Sequence, residues 1–190
     1  MINQNRTEEI LTECGALLNG HFLLTSGRHA GQYMQCAQVQ QYPGCLEEIA
    51  EMIASGFSQD EVDIVIAPAI GGIVIGYELA RKLGAKSIFT ERVDGKVTLR
   101  RGFEVPKGAR VVVAEDVITT GLSTKEVIEV VNEYGGELVG IGVMVDRTGG
   151  DVQFGVKVVA AYSKEIGTYD PENCPLCKEG AQPPIKPGSR

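Results

Sequence analysis

The hydrophobic pattern changes character along the chain. Near the N-terminus Ile10, Leu11, Cys14, Leu17 and Leu18 fall at helical spacing, which predicts a helix over residues 7–18. The stretch from Gly20 to Met34 reads as two short extended pieces about a Ser26-Gly27 turn. Pro43 opens a second helical pattern, with Leu46, Ile49, Ala50 and Ile53 on one face. From Val62 the pattern becomes short, nearly continuous apolar runs, as in parallel strands buried on both faces. These runs are 62–67, 87–90, 111–114, 138–145 and 156–160. Helical segments separate them at 73–83, closed by Gly84, and from about Ser123 to Tyr134, closed by Gly135. Ser123 and Glu126 stand at capping-box spacing. Strand, loop and helix in alternation predict an α/β fold: a central, mostly parallel sheet flanked by helices. Residues 1–60 and the C-terminal tail 170–190 read as additions to that sheet within one domain, 1–190, and the last stretch, 182–190, is Pro-rich and expected to be extended.

Composition narrows the function. Lys+Arg is 18 against Asp+Glu 25, a net charge of −7, which argues against a nucleic-acid or membrane-surface binder but leaves room for a local anion pocket. No apolar run is long enough to cross a membrane, and Met1–Arg6 lacks the apolar core of a secretory signal. Five scattered cysteines fit reduced thiols in a cytoplasm.

The chemistry concentrates at one strand end. Val111–Ala114 delivers Glu115 and Asp116, then Val117 and Ile118, to a Thr119-Thr120-Gly121-Leu122-Ser123 loop that opens a helix. Backbone amides, hydroxyls and the positive end of a helix dipole suit a phosphate. The paired carboxylates repel that phosphate but accept hydrogen bonds from a vicinal diol. Together they describe a ribose 5-phosphate site. A purely structural reading, in which Ser123 caps the helix, leaves the paired acids unexplained. No Walker lysine accompanies the loop.

This stretch resembles the phosphoribosyl pyrophosphate (PRPP) motif of type I phosphoribosyltransferases, and the resemblance extends along nearly the whole chain to the orotate phosphoribosyltransferases. Phe22–His29 resembles that family's hood segment over the base, and Ala67–Gly72 stands where it has a pyrophosphate loop, here Ile70, Gly71 and Gly72. Asp146-Arg147 resembles its Asp-Arg pair. The resemblance implies transfer of ribose 5-phosphate from PRPP to orotate, with Mg²⁺ carried mainly by PRPP, in a cytoplasmic homodimer that binds neither nucleic acid nor membrane. It implies that residues 115–123 hold PRPP and that Thr119 and Arg147 border orotate; Asp116 is expected to be catalytic, and so are Arg92 and Lys96, whose cations a hairpin can bring to pyrophosphate. Two alternatives stay open: transfer to another nucleobase, or a PRPP-sensing regulator.

The chain departs from the family pattern in the loop at 90–103, which has one lysine and no histidine. Asp94-Gly95 instead predicts a hairpin bearing Arg92, Lys96, Arg100 and Arg101. Thr25 and Gly71 stand where the family commonly has lysines. His29 reads as an exposed loop histidine. Cys174-Pro175-Leu176-Cys177 reads as two free thiols, or as half of a metal site that Cys14, Cys36 or Cys45 would complete.

Overall fold

A computed structural model of the chain describes residues 1–24, 26–58, 61–180 and 182–187. Two sheets organise it. The larger has six strands in the order β5-β4-β3-β6-β7-β8. Here β3 is Ile64–Pro68, β4 Lys86–Val93, β5 Lys96–Leu99, β6 Arg110–Ile118, β7 Glu137–Asp146 and β8 Val158–Ser163. All neighbouring pairs run parallel except β4 with β5. The expected hairpin is therefore present, and Asp94 and Gly95 make its turn with φ of 50° and 83°.

Alternate residues of the central strands enter different cores, which explains their unbroken apolar runs. Val65, Ala67, Val112 and Ala114 face α1 (Gln4–Glu13), α3 (Pro43–Ala54) and α4 (Gly72–Leu83). Ile64, Ile66, Val111 and Val113 face α5 (Leu122–Glu133) on the other side. Gly76 lets α4 sit close to the sheet, since a β-carbon there would lie 2.9 Å from Ala67 Cβ.

The smaller sheet is antiparallel, in the order β1-β2-β9, with β1 Leu17–Leu23, β2 His29–Met34 and β9 Thr168–Tyr169. The hood segment and the C-terminal region thus share one sheet. The tail extends this union: Ile185 accepts from Leu23 N at 2.8 Å and donates to His21 O at 2.9 Å. Of the tail expected to be extended, Gly188, Ser189 and Arg190 lie outside the described residues, as does Thr25.

Three local expectations are corrected. The first helix ends at Glu13, and Leu17 and Leu18 belong to β1. Gly15, at φ 68°, turns the chain between them, so two apolar residues in helical phase lie in a strand. Ser123 is not a helix cap: the N-cap of α5 is Gly121, and no side chain caps it. His29 is buried, 6% exposed, rather than lying on an open loop.

Candidate active site

The sheet order places a crevice where it is needed. From β3 the chain crosses through α4 to β4 on one side, whereas β6 pairs with the other edge of β3 and continues through α5 to β7. The topology reverses between β3 and β6, and ligands of open α/β sheets bind beyond the strand ends at such a point. The loop after β3 carries Ile70, Gly71 and Gly72. The end of β6 carries Glu115 and Asp116. The end of β7, one strand further, carries Arg147.

These three strand ends are tied together. Arg147 N donates to Ile118 O at 2.9 Å. Gly71 faces the Asp116 carboxylate so closely that a β-carbon on it would fall 2.6 Å from Oδ2. A side chain at 71 therefore requires Asp116 to move, which gives a steric reason for glycine there. Gln40, at the end of the short helix α2 (Ala37–Gln40), donates from Nε2 to Gly71 O at 2.7 Å. Ala69 N donates to Thr90 O at 2.9 Å. Thus α2 and β4 both brace the loop after β3.

Glu115 is 4% exposed. Its Oε2 accepts from Ser123 Oγ at 2.9 Å, and Asp116 Oδ1 accepts from Val117 N at 2.8 Å. Burial pushes the Glu115 carboxyl up to about 8, the adjacent Asp116 adds to the shift, and the Ser123 hydroxyl opposes it. Burial also raises Asp116, against hydrogen bonds from Glu115 and the Val117 amide. Of the pair, Glu115 gives up its proton last. Two carboxyls at a strand end that resist ionisation together are suited to receiving hydroxyl groups and a cation.

The loop between β6 and α5 has the geometry of an anion cradle. Thr119 and Thr120 are exposed. Gly121 adopts φ 74°, and a β-carbon on it would meet Phe154 Cζ at 2.8 Å. Glycine is thus required on two counts, backbone and contact. With no side chain capping Gly121, the first turn of a twelve-residue helix presents its amides toward the crevice end of β6.

Arg147 follows Asp146, whose Oδ1 accepts from Thr148 N at 2.8 Å and Thr148 Oγ1 at 2.7 Å, fixing the turn. The guanidinium is partly desolvated, which lowers its affinity for the proton, with Tyr33 and Cys36 acting in the opposite sense. Its Nε is buried and has no hydrogen-bond partner among the described residues. Cys36 is wholly enclosed and its thiol is pushed up by burial and by Asp116. Arg147 opposes that rise and Glu115 adds to it.

The hairpin cations stand differently. Arg92 pairs with Glu126 of α5 and donates to Gly95 O at 2.6 Å. Lys96 reaches Glu133 at 3.4 Å. Arg101 and Arg100 lie against Glu91 at 2.7 and 3.7 Å. In the hood, Arg28 is fastened to β9 and its flank through Thr168 Oγ1 at 2.8 Å and Asp170 Oδ1 at 2.7 Å. Gln40, Cys36 and Thr90 escaped the sequence reading. Nothing in their local pattern marks them, because each acts across elements distant in sequence.

Residues 35–159 match the phosphoribosyl transferase domain. Along its whole length the chain is 51% identical to an orotate phosphoribosyltransferase of Desulforamulus reducens, covering 98% of that protein. The chain belongs to the orotate phosphoribosyltransferase family. A second relative, the orotate phosphoribosyltransferase of Chlorobium phaeobacteroides, is 52% identical over 189 residues, 100% of this chain and 97% of that protein. Among solved structures, orotate phosphoribosyltransferase from Aeropyrum pernix superposes with a TM-score of 0.68 at 28% identity, over 82% of this chain and 92% of that one.

Proposed function

We propose that this chain transfers the ribose 5-phosphate of PRPP to orotate, a glycosyltransferase reaction that yields orotidine 5′-monophosphate and pyrophosphate. One observation carries the residue assignment: Gly71 meets Asp116, next to Glu115, where the sheet topology reverses, and Arg147 begins at the adjoining strand end, its N bonded to Ile118 O. In the reaction a nitrogen of orotate bonds to the ribose C1 as the C1–O bond breaks, and the electron pair leaves with pyrophosphate. Positive charge develops on the ribose and negative charge on the leaving group. Little covalent work is asked of the protein, so positioning and charge supply most of the rate.

In this reading Glu115 and Asp116 accept hydrogen bonds from the ribose diol and face its developing positive charge. Val117 and Ile118 carry the strand into the cradle. Thr119, Thr120, Gly121, Leu122 and Ser123 bind the 5-phosphate. Ile70, Gly71 and Gly72 offer backbone amides to pyrophosphate. Arg147, with a desolvated guanidinium and an idle buried Nε, binds the orotate anion beside Thr119. Arg92 and Lys96 supply cations to the leaving group after exchanging Glu126 and Glu133 for pyrophosphate.

Mg²⁺ fits the donor set. Two carboxylates, without a third acid, suit a cation that uses one or two protein oxygens and takes the rest from phosphate and water. When bound with PRPP it would neutralise pyrophosphate charge, with Asp116 as the nearer protein oxygen donor to the loop.

We take 1–190 as one transferase domain in which the hood elements and the tail cover the base side, consistent with their shared sheet. Exposed Ile70, Val74 and Tyr77 line one flank of the loop and α4, which suits a second copy of the chain in a homodimer. Five free cysteines are consistent with a cytoplasmic protein. Among the described residues no helix is long and apolar enough to cross a membrane.

The test is stoichiometric. Purified protein with PRPP, Mg²⁺ and orotate should release pyrophosphate and orotidine 5′-monophosphate in equal amounts. Pyrophosphate released at the same rate without orotate would overturn the proposal.

A further inference from the structure

Four side chains that the transferase reading leaves idle meet where the hood joins the tail. His21 lies on β1 and His29 opens β2. Cys174 is the N-cap of the short helix α6 (Pro175–Lys178), and Cys177 is its third residue. Their ligand atoms all lie within 4.8 Å of one another. Among the described residues no other group of three or more His, Cys, Asp or Glu side chains is spaced to hold a metal.

The hydrogen bonding of His21 fixes its tautomer. Nδ1 lies 2.9 Å from the Gln182 carbonyl oxygen, which only accepts, so Nδ1 carries the proton. Nε2 then presents its lone pair inward. It sits 2.9 Å from His29 Nδ1, 3.6 Å from Cys174 Sγ and 3.7 Å from Cys177 Sγ. Cys177 Sγ is 3.4 Å from His29 Nδ1. One lone pair cannot satisfy three donors. One cation satisfies four ligands. A backbone carbonyl holding the outer nitrogen of a ligating histidine is also the usual supporting contact at zinc centres.

The separations fit a particular ion. Zinc–nitrogen bonds of about 2.0–2.1 Å and zinc–sulfur bonds of about 2.3 Å in a tetrahedron imply nitrogen–sulfur edges of about 3.5 Å and a nitrogen–nitrogen edge of about 3.3 Å. The three nitrogen–sulfur distances above bracket the first value, and the two rings need part by only a few tenths of an ångström to reach the second. Two sulfurs and two imidazoles in a tetrahedral set select Zn²⁺ over oxygen-seeking cations. Cys174 is wholly buried and His21 and His29 are 8% and 6% exposed, whereas Cys177 is exposed, so three ligands are enclosed and the fourth closes the site at the surface. Four protein ligands leave no open position, which makes the site structural.

We propose that His21, His29, Cys174 and Cys177 form a structural Zn²⁺ site that clips the C-terminal segment to the hood. Binding releases the two thiol protons to solvent, and two thiolates then balance the dication. The clip has work to do. β9 has two residues, paired with β2 at His29 and Ala30, and the tail adds one short pairing at Ile185. Such brief pairings hold poorly alone. The ion would join β1 and β2 to a segment about 150 residues later and would steady the pairing of β1 and β2 beside it.

The experiment uses the full chain, purified reduced and stripped of metal. Zn²⁺ titration should saturate at about one ion per chain and raise Tm. Co²⁺ titration should give thiolate charge-transfer absorption and the intense visible bands of a tetrahedral ion. In Cys174→Ser with Cys177→Ser, metal content should fall to background and the charge-transfer absorption should vanish, while Cys45→Ser should keep both. Reduced wild-type chain that is folded by circular dichroism but takes up neither ion would overturn the proposal. So would a double variant that retains one ion per chain. Should the double variant not fold, the wild-type Co²⁺ spectrum decides alone. None of these readings depends on turnover.

Discussion

Ser123 Oγ donates to Glu115 Oε2 at 2.9 Å across the turn that joins β6 to α5. The hydroxyl is thereby turned from the helix amides toward the paired carboxyls, and it links the ribose side of the site to the phosphate side. It also favours ionised Glu115, whose pKa burial has raised to about 8. In Ser123→Ala that support is lost and the Glu115 pKa rises further. The acidic limb of kcat/KM for PRPP should move to higher pH, and at neutral pH kcat/KM should fall by about tenfold, as for one hydrogen bond to a charged group. A pH profile of the variant checks both.

Glu115 also sets a pH dependence of stability. Its folded-state pKa lies above the ordinary 4.5. Between about 4.5 and about 8 the folded chain therefore holds a proton that the unfolded chain has released, and stability from this group falls as pH rises through that window. Glu115→Gln removes the penalty. Its Tm should exceed wild type by about 3–6 °C near pH 8.5 and converge with it near pH 4.5, while turnover is largely lost. Thermal melts at the two pH values test the sign.

Arg147 carries the base side of the account. Its Nε is buried without a partner. Arg147→Ala should raise KM for orotate by about 10–100-fold, the value of a charge-assisted pair, with a much smaller change in KM for PRPP. Arg147→Lys should recover only part of the loss, since an ammonium cannot make the forked contact. Equal effects on both substrates would place Arg147 elsewhere in the mechanism.

Arg92 and Lys96 are paired with Glu126 and Glu133 at exposed positions. Exposed pairs contribute little stability, so Arg92→Ala and Lys96→Ala should shift Tm by no more than about 2 °C. If the hairpin delivers these cations to pyrophosphate, kcat should fall by about tenfold or more in each. Unchanged kcat in both would make the pairs a fastening between the β4–β5 hairpin and α5.

The elements are legible in the sequence where a signal is local. The apolar run ending in Glu115 and Asp116, the loop after it and the Asp94-Gly95 turn each put their determinants within a few residues. They are not legible where two local signals compete. Leu17 and Leu18 keep helical phase with Ile10 and Cys14, but Gly15 at positive φ ends the helix first. Ser123 and Glu126 have capping-box spacing, but the start of α5 is set at Gly121, and the two side chains turn to Glu115 and Arg92 instead. Contacts between distant segments had no local trace. Gln40 bracing Gly71 is one example. His21 and His29 beside Cys174 and Cys177 are another: Cys-x-x-Cys suggests half of a metal set, and the side chains the fold brings beside it are the two histidines rather than the other cysteines.

The most direct measurement is orotate consumption, followed by its ultraviolet absorbance, with purified protein, PRPP and Mg²⁺, and with adenine, hypoxanthine and uracil as parallel substrates. Turnover that requires Mg²⁺ and PRPP and prefers orotate by orders of magnitude is the predicted result. Turnover of another base in place of orotate, or none in a folded protein that still binds PRPP, would contradict the account.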